Sequence, residues 1–138
     1  MTSSRREARE RALGLLYEAE ARGLSPRDTL VDLPVAPDPY AVSLVEGVST
    51  RLAEIDGLIS TYARDWKLER MPAIDRAVLR MATFELLAHD DVPTGVAVSE
   101  AVALASEYST DESGRFVNGL LSRIAREVRP PGGDNVRS

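Results

Sequence analysis

An all-α fold is predicted for this 138-residue chain by three features. Apolar residues recur at three- and four-residue spacing almost throughout, the repeat of an α-helix buried on one side. No segment shows the strict apolar–polar alternation of a strand, and the β-branched residues are scattered. Cap-and-proline pairs, Ser25-Pro26 and Asp38-Pro39, stand where new apolar stripes begin, as at helix starts.

The first helix is expected from about Ser4 to Arg22, ended by Gly23, a residue suited to the left-handed position after a helix. Ala8, Ala12, Leu15, Leu16 and Ala19 form its core stripe. A short second helix follows Ser25-Pro26, and the proline-rich LPVAPDPY connects it to the next element. From Asp38-Pro39 onward, Ala41, Leu44, Val45, Val48, Leu52, Ile55, Ile59 and Tyr62 trace one long stripe, with Gly47 and Gly57 as the expected points of bending. The stretch Trp66 to Pro72 is expected to be a hinge, because a proline disfavours helix at the residue before it.

PAIDRAVLRMATFELLAHDD is apolar on almost all sides and is expected to be a central buried helix. Another helix begins near Gly95, with Val98, Ala101, Val102, Ala105 and Tyr108 inward. A polar break over 109–113 precedes the last helix, where Val117, Leu120, Leu121, Ile124 and Val128 face the core and Gly119 permits close packing. The expected organisation is one domain over residues 1–128, made of two small helical bundles packed into one compact unit, about 4–65 and 66–128. Residues 129–138 are expected to be a disordered tail, being polar and rich in Pro and Gly.

Composition narrows the function. There is no Cys, so no disulfide frame or thiolate metal site is available. No run of about eighteen apolar residues suggests a membrane span. The charged N-terminus lacks the apolar stretch of a signal peptide, so a cytoplasmic protein is expected. His89 is the one His; beside Asp90 and Asp91 at a helix end, it is expected to contact the helix dipole rather than act as a base. With no glycine-rich phosphate loop, catalytic carboxylate set or metal cage, the chain is not expected to be an enzyme, and neither cofactor nor metal is expected.

Three surfaces stand out. The chain is acidic, with 22 acidic against 17 basic residues, yet it opens with Arg5, Arg6, Arg9 and Arg11. Arg6, Arg9, Leu13 and Tyr17 form a second stripe on the first helix. Such a row either covers a neighbouring helix or binds a ligand, since Arg forks onto phosphate and stacks on bases. Arg115, Phe116 and Asn118 are expected in the first turns of the last helix, where free N–H groups attract anions; Phe116 as core is the competing assignment. The buried helix carries Asp75, Arg76 and Arg80, which must pair internally or form a protein-binding edge.

Together RREARERALGLLYEAE, DRAVLRMATFELL, VPTGVAVSEAVALASEY and FVNGLLSRI, in this order and spacing, resemble the NusB transcription antitermination family over about Arg5 to Val128. The resemblance implies an all-α, non-enzymatic protein that binds the boxA element of nascent RNA together with NusE, a small-subunit ribosomal protein. It implies action within the RNA polymerase antitermination complex on ribosomal RNA operons. RNA-binding residues carried over are Arg5, Arg6, Arg9, Arg115 and Phe116, with Arg11 left in solvent. NusE contacts carry over to Tyr17, Asp75 and Arg76. Some members form homodimers that cover the RNA surface, and the sequence leaves that state open. The chain departs from the family at Ser106, where a Lys is usual, and near its termini, which are poor in Lys; weak RNA affinity for the protein alone is therefore expected. A helical protein–protein scaffold without RNA binding is the alternative function.

Overall fold

The computed structural model describes residues 4–64 and 66–130. Among them are seven α-helices, one 3-10 turn and no strand: α1 (Arg5–Arg22), α2 (Asp28–Val31), α3 (Pro39–Thr50), α4 (Leu52–Ala63), the turn Leu68–Arg70, α5 (Ala73–Ala88), α6 (Thr94–Tyr108) and α7 (Asp111–Val128).

Helix α1 starts with a reciprocal cap. Ser4 Oγ accepts from the Glu7 N–H at 3.0 Å, and the Ser4 N–H donates to Glu7 Oε1 at 2.9 Å, satisfying two donors at once. It ends at Gly23, whose φ of 67° lets the Leu24 N–H return to Ala19 O at 2.8 Å.

The long stripe after Asp38 divides into two helices, and the break falls at Arg51 rather than at either glycine. Packing sets that position: α3 lies on α1 and α5, whereas α4 lies on α5 and α7, so the chain turns between them. Gly47 stays helical and seats the Phe84 ring, while Gly57 faces open space and has no cause to bend.

Helix α5 is central, touching α1, α3, α4, α6 and α7. Ten of its residues are buried, including the polar Asp75, Thr83 and Glu85. Helices α6 and α7 pack tightly at Gly114, where a Cβ would lie 2.2 Å from Ser106 Oγ, whereas a Cβ at Gly119 would meet only Arg123, at 3.7 Å. The expected packing glycine is therefore displaced by one and a half turns.

The chain end also differs from expectation. Residues 131–138 of the expected tail lie outside the described residues, but Arg129 is built into the fold. Its guanidinium donates to the carbonyls of Leu86 (2.9 Å), Val92 (2.7 Å), Glu85 (3.2 Å) and His89 (2.8 Å), and to Thr94 Oγ1 (3.2 Å). Arg129 thus satisfies the open C-terminal end of α5, the place where His89 was expected to act. The His89 ring instead packs between Tyr40 and Phe84, with Nε2 3.2 Å from Ser43 Oγ.

Candidate RNA- and partner-binding surface

The stripe Arg6–Arg9–Leu13–Tyr17 separates on folding. Arg5 and Arg6 project from the first turn of α1 with side chains 51% and 64% exposed. Arg5 lies 4.0 Å over the Tyr40 ring, with Nη2 3.2 Å from Asp91 Oδ2. Arg6 forks onto Glu100 of α6, at 3.3 and 2.9 Å. Arg9, by contrast, is 4% exposed, and so is not placed on the surface expected for it. Its Nε lies 3.1 and 3.0 Å from the two Glu85 oxygens and its Nη2 2.9 Å from Oε2. Leu13 is buried as well. The physical reason is the depth of α5: Glu85 is buried on a helix packed against five others, and a guanidinium beside it offsets the cost of burying its charge.

Charge and hydrogen bonding follow this arrangement. Burial works against the Arg9 cation, but the hydrogen bonds and charge of Glu85 outweigh it and hold Arg9 above its ordinary value. Burial, reinforced by the hydrogen bond to Glu85, pushes the Tyr40 phenol up. The Arg6 fork holds Glu100 below the usual carboxylate range, and the Arg5 contact does the same for Asp91. Arg11 is exposed.

The start of α7 is built differently from the anion site expected there. The helix begins at Asp111, so Arg115 and Phe116 stand in its second turn. Thr110 Oγ1 accepts the Ser113 N–H at 2.9 Å, and Asp111 and Glu112 occupy the first turn. These groups favour the helix dipole and leave the terminus ill suited to an incoming anion. Arg115 is exposed. Phe116 is half-buried, edge-on to Trp66 with ring centroids 4.6 Å apart, so it serves the packing while keeping an open side. Both rings border a cavity of about 240 Å³ beside Asp75 and Thr110. Helix α6 connects this end to α1: Glu100 holds Arg6, and Tyr108 donates to Glu10 at 3.0 Å.

Of the expected partner residues, Tyr17 is 44% exposed. Asp75 is fully buried and accepts from Ser113 Oγ at 2.8 Å, so it is not presented to a partner. Arg76 turns inward, forking onto Glu20 and donating to Leu68 O and Met71 O at 2.9 and 2.7 Å. Arg80 joins Glu20 to Asp56. Internal pairing accounts for both arginines. Sequence reasoning missed Glu20, Glu85, Asp91, Glu100 and Arg129. Glu85 carried a usable signal, as a carboxylate in the middle of the apolar stretch MATFELLA.

The fold and surface define a class: a two-bundle, all-helical binding module with exposed arginines at one helix start. Among the described residues, no group of three metal-ligating side chains occurs, and no helix is long and apolar enough to cross a membrane. The NusB family model matches residues 6–126, and the chain belongs to that family. It is 57% identical to the transcription antitermination protein NusB of Kineococcus radiotolerans over 127 residues, covering 89% of this chain and 93% of that protein. The corresponding Arthrobacter protein is 52% identical over 132 residues, covering 93% and 96%. Among solved structures, T. maritima NusB has a TM-score of 0.86 at 37% identity, covering 98% and 99% of the two chains. A chain from a complex of the antitermination factors NusB and NusE with double-stranded RNA has a TM-score of 0.76 at 27% identity, covering 89% and 96%.

Proposed function

We propose that this chain is a cytoplasmic transcription antitermination factor that binds boxA RNA jointly with NusE, within the RNA polymerase complex that transcribes ribosomal RNA operons. It acts by binding, as an adaptor, and not as an enzyme. The observation that carries the reading is the exposed Arg5–Arg6 pair at the start of α1, in a family with a solved NusB–NusE–RNA complex. Arg contacts phosphate through a planar fork, and its attraction is steeply salt-dependent.

The assigned roles shift with the geometry. Arg5 and Arg6 contact phosphate, Arg115 adds charge, and the open side of Phe116 offers a stacking face. Arg9 is a positioning residue that fixes α1 on α5. Tyr17 contacts NusE directly, Arg76 braces that helix, α1, through Glu20, and Asp75 holds the start of α7 through Ser113. A homodimer that uses the same surface would compete with RNA.

Titration of labelled boxA RNA with the protein, with and without NusE, tests the reading. Binding is expected to tighten with NusE, weaken with salt, and fall in an Arg5→Glu/Arg6→Glu variant that keeps the wild-type helical spectrum. Equal affinity for boxA and scrambled RNA in the heterodimer would favour a protein–protein scaffold, a reading supported by the net charge of −5.

A further inference from the structure

We infer that Asp91 and Glu100 are built-in competitors for the RNA phosphates: each pairs with the guanidinium of a surface arginine, Glu100 has a second cation to which it can withdraw, and Asp91 can return to solvent. The inference rests on the RNA-binding reading of Arg5 and Arg6 and adds what sets the affinity of that surface.

Glu100 presents both oxygens to Arg6, at 3.3 and 2.9 Å, the bidentate geometry in which guanidinium binds phosphate. Asp91 lies 3.2 Å from Arg5. A ligand phosphate must therefore displace Glu100 to take the Arg6 fork, and competes with Asp91 for one nitrogen of Arg5. Both displacements have somewhere to lead. Glu100 Oε1 already lies 3.7 Å from Arg9 Nη1, and Arg9 is fixed in place by Glu85. Asp91 Oδ1 lies 3.8 Å from His89 Nδ1. Glu100 keeps a cation when Arg6 turns to RNA, and Asp91, 61% exposed, is taken up by water, so neither carboxylate is stranded by the exchange. The Arg5–Asp91 pair is open to solvent and the Arg6–Glu100 pair is open on its arginine side, with Glu100 21% exposed, and exposed ion pairs are weak. The competitors lower affinity by a modest factor rather than abolishing it. The chain therefore keeps its arginines ordered when RNA is absent, and weak anions do not hold them.

The test uses the full chain with NusE and measures boxA RNA affinity for Glu100→Gln and Asp91→Asn, with Glu107→Gln as the control. Glu107 acts on Arg6 through its field but does not occupy its fork. Each competitor variant is expected to bind RNA about twofold to fivefold tighter, the span of one exposed ion pair, while the control changes by less. In an Arg6→Ala background, Glu100→Gln is expected to lose its advantage over Glu107→Gln. Asp91 is exposed, so its variant provides the test even if Glu100→Gln disturbs folding. Equal effects of Glu100→Gln and Glu107→Gln, or weaker binding by either competitor variant, would overturn the inference. If wild type and the Arg5→Glu/Arg6→Glu variant bind RNA equally, the RNA-binding reading itself falls, and this inference with it.

Discussion

Replacing Arg9 with Met separates two roles that the sequence allowed this residue. Met keeps an unbranched side chain of similar reach and removes the charge, leaving the Glu85 carboxylate buried with the Tyr40 hydroxyl as its remaining donor. Both partners of the pair are nearly solvent-free, at 4% and 1% exposure. Removing one side of such a pair costs about 3–5 kcal/mol. Set against roughly 7–20 kcal/mol of total stability for a chain of this length, the variant folds but is clearly weakened. Its melting temperature is expected to fall by about 10–20 °C, read by circular dichroism with urea unfolding as a second measure. An Arg9→Met/Glu85→Leu double variant, which removes both charges, is expected to lose less than either single variant. A loss below about 1 kcal/mol for Arg9→Met would refute the argument, because that is the scale of a solvent-exposed pair, and would return Arg9 to the RNA surface.

Three further outcomes are expected. Gly47→Ala places a Cβ 2.0–2.4 Å from the Phe84 ring and is expected to destabilise by about 1–2 kcal/mol after its gain in helix propensity; Gly57→Ala meets nothing within 4 Å and is expected to stabilise by about 0.5–1 kcal/mol, both read by urea titration. Arg129→Gln strips the carbonyl end of α5 and is expected to cost about 1.5–3 kcal/mol, while the exposed Arg126→Gln is expected to cost almost nothing. Hydrogen bonds from Arg76 hold the Glu20 carboxyl below the usual range, so its contribution is present above its unfolded value near pH ~4.3 and is lost as pH falls through the lower folded value. A Glu20→Gln variant should therefore show a flatter acid limb in stability against pH.

The helices were legible because each carries a periodic stripe and most carry a cap or proline, as Ser4, Asp38 and Thr110 show. The turn at Arg51 was not, because it arises from two halves of one stripe packing on different neighbours, with no local breaker. The site was partly legible. Exposed Arg5, Arg6, Arg115 and Tyr17 stand on helix faces that spacing can place. The inward turn of Arg9, Asp75 and Arg76 depends on partners 76, 38 and 56 residues away in the chain, and helical periodicity contains no information about such pairings.

The clamp made by Arg129 has a consequence for vectorial synthesis. The carbonyls at the end of α5 that it satisfies are made 40 to 44 residues earlier, whereas chains being synthesised tend to organise from the N-terminus forward. The central helix therefore leaves the ribosome with its last turn open to water, and its final hydrogen bonds form only when nearly the whole chain has emerged. A chain stopped one residue short of Arg129 would contain every core side chain and still lack the piece that closes the helix on which both bundles rest.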